Sequence, residues 1–209
     1  MKWQETGRVA PRSLAAVRLQ LHSGALVLSS TAHSILEHAP DDSHTSLGFD
    51  PRRRSLHTDS LDARKGTRLH LDIPQFELVL RVGTDVLSRL PLPGRTVESA
   101  LDWVGAQLGG SPESDVTSAQ REYPGFPRSP LMTGGTFDRP PDADLGELAN
   151  WFANGLTVLE SLRAHHTVMS ATRVWPHHFD LGALVPLDEV GGRVIGHGMS
   201  PGDEHYDQQ

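Results

Sequence analysis

The sequence predicts an α+β fold, with antiparallel sheets packed against a few amphipathic helices. Three observations carry this expectation. Leu14, Val17, Leu21, Ala25, Leu28, Ala32 and Ile35 recur at three- and four-residue steps, which is one face of a helix. Leu69, Leu71 and Ile73 alternate with polar neighbours, as do Phe76, Leu78, Leu80 and Val82, and that is the period of half-buried strands. The strand patterns follow one another through short turns, without the intervening helices that a parallel sheet requires.

The first helix is expected to begin near Pro11, a residue suited to the first helical position, and to run about 26 residues before Pro40 ends it. Ser23-Gly24 is its weak point, and a shorter helix followed by a strand at 25–29 is the alternative. The unbroken phase of the apolar residues across Gly24 favours one helix. Leu47–Phe49 and Leu56–Thr58 flank Asp50-Pro51-Arg52-Arg53-Arg54 and read as a hairpin. The three arginines admit two readings, a solvated turn or a phosphate site. With the strands over 69–73, 76–82 and 86–90, this makes a sheet of four or five strands. Thr96 caps a helix whose buried face holds Val97, Ala100, Leu101, Val104 and Leu108, and Gly109-Gly110 stops it.

Residues 109–142 are rich in proline and glycine and show no period. They form either a linker between two lobes or an extended arm packed through Tyr123, Phe126, Leu131 and Met132. A long helix follows, with Asp144 as its cap and Glu147 completing a capping box. Leu145, Leu148, Phe152, Leu156, Leu159 and Leu162 form its stripe, and Gly155 marks a close approach. His165-His166 fall in the last turn, where imidazolium suits the helix dipole. Strands over 173–186 and 193–199 complete the chain. The domain expectation is therefore 1–110 (helix, antiparallel strands, helix), 111–142 (linker or arm) and 143–209 (helix and hairpin), the last either a separate lobe or packed with the first as one unit.

The 209 residues carry 19 bases and 26 acids, a net charge of −7. Residues 1–70 hold ten bases against seven acids, and residues 71–209 nine against nineteen. No basic face of the kind nucleic acid requires is evident, so no nucleic-acid partner is expected. The chain has no cysteine, which removes disulfides, thiolate catalysis and cysteine-ligated metals. No apolar run is long enough to span a membrane, and the N-terminus has no signal pattern, so a cytoplasmic protein without a membrane partner is expected.

The densest group of chemistry-bearing residues is Arg173–Leu181, with His197 and Ser200–Asp207 shortly after it. Taken as one strand, it turns Trp175, His177 and Phe179 to the core, His177 then being a neutral imidazole bonded to a carbonyl. His178 and Asp180 share the opposite face, and His197 joins them if the following hairpin loop has even length. His178, Asp180 and His197 are thus the candidate metal ligands, for Zn²⁺, Fe²⁺ or Mn²⁺. Without metal, Asp180 would orient histidine as a general base. The ordinary alternative is that these groups satisfy backbone polar atoms where strands meet loops. Asp41-Asp42-Ser43-His44 is a second polar cluster able to line the same pocket. No zinc-protease, nucleophile-elbow, phosphate-loop or dinucleotide fingerprint occurs.

Asp41-Asp42-Ser43-His44-Thr45, Trp175-Pro176-His177-His178-Phe179-Asp180 and Ser200-Pro201-Gly202-Asp203 resemble segments of an uncharacterised group of bacterial proteins, over most of the chain. The resemblance implies no activity, cofactor or catalytic residue, and it implies a chain that continues past the acidic segment. Two functional expectations follow from the whole reading. One is an enzyme acting on a small molecule through a His/Asp site, with or without a divalent metal. The other is a non-catalytic ligand-binding or interaction module, as a monomer or a homodimer, whose support is the aromatic, proline-rich arm over 121–141.

Overall fold

The computed structural model describes residues 2–62, 65–109, 129–188 and 192–202. A single 3₁₀ turn at Pro11–Ser13 leads into helix α1 (Leu14–Ile35), which runs through Gly24 without a break. Burial explains why glycine is tolerated there. A β-carbon at Gly24 would lie 3.0 Å from Leu71 Cδ2 and 3.5 Å from Leu92, so its absence lets the helix approach the sheet closely. From Leu21 to Ser29 every residue of α1 is buried. The buried hydroxyls bond back along the helix, Ser23 to the Leu19 carbonyl and Thr31 to that of Val27, so neither is left unsatisfied.

Around this central helix lies an antiparallel meander of β1 (Gly48–Asp50), β2 (Ser55–His57), β3 (Thr67–Asp72), β4 (Glu77–Val82) and β5 (Asp85–Pro91). The β1–β2 turn forms because Asp50 Oδ1 accepts the amides of Arg52 (2.9 Å) and Arg53 (3.1 Å). A bulge between Leu80 and Arg81 shifts the β4–β5 register. Helix α2 (Val97–Leu108) starts at a reciprocal cap between Thr96 and Ser99 and stops at Gly109, whose φ is +80°.

Residues 129–141 pack back on the body, with Leu131 and Phe137 buried and Phe137 exchanging backbone bonds with Gly94 and Arg95. Tyr123 and Phe126 of the expected arm lie outside the described residues. Helix α3 (Asp142–His165) begins two residues before the expected cap, directly after Pro141, with no side-chain cap. Glu147 does not close a capping box: it is buried and accepts the Gly7 amide and Trp151 Nε1, anchoring the N-terminal segment to α3.

The last sheet joins β6 (Arg173–Trp175), β7 (Asp180–Pro186) and β8 (Val194–Met199). The expected single strand over 173–186 is in fact two strands and a turn. Trp175 pairs with Asp180, and Pro176–Phe179 close the hairpin between them. Pro176 has no amide to give a ladder, and Phe179 takes a left-handed φ of +57°, so the extended run ends there.

Leu47 and Val174 exchange two backbone bonds, which lays β6 beside β1 and makes the sheets neighbours. Arg173 secures this seam. Its guanidinium takes both carboxylate oxygens of Asp59 (3.0 and 2.8 Å) and also bonds the Ser46 hydroxyl and carbonyl. One buried core cluster contains residues from α1, the meander, α2, α3 and β7. Among the described residues no helix is long and apolar enough to cross a membrane.

Candidate metal centre

The hairpin turn places the residues singled out in the sequence. His177 and His178 stand on the turn itself, not on alternate faces of a strand. The Pro176 carbonyl accepts a bond from His22 Nε2 of α1 at 2.5 Å. The His22 ring stacks on Phe179 (5.1 Å, 13° between planes), and Phe179 also meets Phe152 edge-on at 5.2 Å. These contacts hold the unusual backbone of Phe179 in place. The buried, carbonyl-bonded imidazole expected of His177 is thus His22, while His177 is half-buried against Trp175. Burial lowers the His22 pKa to about 4, with Arg18, His178 and His177 adding to the effect, so the ring is neutral near pH 7.

The three candidate ligands are not brought onto one face. Pro186 pairs with Val194 across a seven-residue connection, an odd length, and His197 therefore sits opposite Ala183. That face carries Leu181 and Met199, which pack on Gly155 of α3. Asp180 and Gly182 point to the other face. His178 remains near His177, their rings 4.7 Å apart. Asp180 Oδ1 is buried and has no hydrogen-bond partner among the described residues. The segments Asp41–Thr45, Trp175–Asp180 and Ser200–Gly202 do converge around α1. Burial and His178 lower the His177 pKa, whereas the charges of Asp180 and Asp42 act to raise it, and Arg18 donates to the Gly202 carbonyl.

A different group has the geometry of a metal site. His33 lies in the last turn of α1, His38 just beyond its end, and His44 in a 3₁₀ turn (Ser43–Thr45) that brings the chain back. Asp42 enables the return by adopting a left-handed φ of +55° and accepting the Thr45 amide. One potential ligand atom from each of the three imidazoles lies within 4.8 Å of the others. His33 Nδ1 and His44 Nε2 are 3.1 Å apart, close to the roughly 3.3 Å expected between two nitrogens on a tetrahedral zinc ion with bonds of about 2.0–2.1 Å. The rings stack at 4.4 Å (His33–His38) and 4.8 Å (His38–His44).

The hydrogen bonds specify where the protons are. The Ala39 amide donates to His44 Nδ1 at 3.2 Å, which leaves the proton of neutral His44 on Nε2, directed at His33 Nδ1. His38 Nε2 donates to the His33 carbonyl at 3.0 Å and keeps its lone pair on Nδ1. A cation held between His33 and His44 would replace that shared proton, which would have to leave the ring or move to Nδ1 at the expense of the Ala39 bond. His44 is the buried member, and burial, followed by the neighbouring His38 and His33 charges, lowers its pKa. Asp42 and Asp41 act in the opposite sense, adding negative charge beside the imidazoles.

This triad was missed because the sequence reading weighed local density, and these residues are spaced by five and six. Three histidines within twelve residues on both sides of the helix-ending Pro40 were the available signal. No family model matches the chain, and neither a curated protein nor a solved structure shows significant similarity to it.

Proposed function

We propose that the protein binds one divalent transition-metal ion through His33, His38 and His44, and that its activity on a small molecule depends on that ion. The observation that carries the reading is the mutual approach of three imidazoles, one of them buried and held by the backbone. An all-imidazole donor set favours zinc, or copper and nickel, over manganese, which prefers oxygen ligands. Three protein ligands leave a coordination position for water or a substrate oxygen, where the ion acts as a Lewis acid. His33 and His38 are exposed, so such a ligand reaches the position from solvent.

A second reading is favoured by the buried Asp180 oxygen and its histidine neighbours. In it, His178 and Asp180 form an acid/base pair and no metal is held by the triad. Calorimetric titration of metal-stripped protein with zinc separates the two. The proposal expects one equivalent bound, a loss of at least about tenfold in affinity in His44→Ala and His38→Ala, and no change in His178→Ala or Asp180→Asn. Loss of zinc binding only in the hairpin variants supports the second reading, and absence of binding in the wild type removes the first.

A further inference from the structure

On the outer face of the meander, away from α1, a cavity of about 330 Å³ opens among Asp50, Arg53, Lys65, Arg68, His70 and Arg81. Four permanent cations meet a single carboxylate, in a chain whose net charge is −7. That carboxylate is already engaged: Asp50 accepts the Arg52 and Arg53 amides and pairs with the Arg53 guanidinium at 2.7 Å. Arg68 and Arg81 sit directly opposite each other in the β3–β4 ladder. Like charges so paired are destabilising, and neither has an ion-pair partner among the described residues. The Arg81 guanidinium pKa is lowered, first by burial and then by the Arg53 and Arg89 charges, with Asp72 and Asp50 acting in the opposite sense.

The floor of the cavity supplies neutral hydrogen-bonding groups. His70 is buried, and burial pushes its pKa down to about 3. Its Nδ1 lies 3.2 Å from the Ser55 hydroxyl. With the hydroxyl donating to Nδ1, the His70 Nε2–H is left to donate into the cavity. His57 lies over Gly48, where a β-carbon would overlap its ring, so the absent side chain makes room for the imidazole. Its Nδ1 donates to the Thr58 carbonyl at 2.9 Å, fixing the ring.

We propose that this cavity is a binding site for a small phosphorylated molecule, with the Arg68 and Arg81 guanidiniums and Lys65 gripping the phosphate and His70 contacting it from below. A forked guanidinium matches a phosphate's oxygens, and an anion between Arg68 and Arg81 removes their repulsion. The cavity's volume suits a small molecule, and the chain as a whole is acidic, which favours a small anion over a nucleic-acid strand. Of the three consecutive arginines, only Arg53 serves this site. Arg54 instead turns to the Gly146 carbonyl and Asn150 of α3.

The test is titration of the full chain with inorganic phosphate and with glycerol phosphate at constant ionic strength, followed by the imidazole NMR signals of His70 and His57. Saturable binding with a shift at His70 is expected, about tenfold weaker in Arg68→Gln and in Arg81→Gln, and unaltered in the exposed control Arg12→Gln. These exposed or half-exposed arginines are outside the core, so their variants are expected to fold, as circular dichroism will show. Phosphate that does not saturate, saturation that ignores Arg68 and Arg81, or binding of an RNA oligonucleotide without binding of either small anion would each overturn the proposal.

Discussion

Two groups of histidines flank α1 and differ in almost every physical respect. His22, with His177 and His178, belongs to the contact between α1 and the β6–β7 hairpin. His33, His38 and His44 gather where α1 ends, two of the three in solvent. In the first group the imidazole is consumed by packing: His22 gives its proton to a carbonyl and its face to Phe179. In the second, the rings bond chiefly to one another and to the backbone, and one nitrogen of each ring converges on a common point. The difference teaches that density of ligand-type residues along a chain is a poor guide to a site. What counts is whether the fold has already used their polar atoms.

The strongest way to break this comparison is through stability. His22→Ala removes a buried ring and its bond, and is expected to cost about 3 kcal/mol or more, read from urea unfolding. An effect below about 1 kcal/mol would show that His22 is not a structural element.

Acid should act in the same direction. Burial holds His22 near 4 in the folded protein against 6.5 in the open chain, so the unfolded state takes up its proton first. The stability contributed by this group is complete above pH 6.5 and is lost as pH falls toward 4, up to about 3 kcal/mol. His70, held at about 3, adds loss of the same sign. His22→Gln, with no proton to gain, should therefore flatten the profile in part. A profile as steep as that of the wild type would contradict the assignment.

Zinc should sharpen the contrast by a slightly smaller amount. At a hundredfold excess over its dissociation constant it is expected to stabilise the wild type by about 2.7 kcal/mol and His44→Ala hardly at all. The smallest effect is that of His33→Ala without metal, expected within about 0.5 kcal/mol of the wild type because the ring is exposed.

Much of the fold was legible from spacing. The apolar phase across Gly24 identified one helix, and alternation located β3 and β4 with their turns. The Thr96 cap was legible because capping is local chemistry. What could not be read depended on tertiary contacts. Glu147 resembles the third residue of a capping box, but the incoming N-terminal segment claims it. Phe179 carries no signal of a left-handed backbone, since its conformation is held by His22 and Phe152 from distant parts of the chain. That single turn undid the assumed alternation from Arg173 onward. The parity of the next loop, which decided the face of His197, was likewise invisible before the register was known.

The most direct measurement is an imidazole nitrogen NMR spectrum of the wild type, taken before and after one equivalent of zinc, with signals assigned by single histidine substitutions. The account predicts that His33, His38 and His44 shift together while His22, His177 and His178 stay in place. Shifts confined to His177 and His178, or no shift in any histidine, would contradict it.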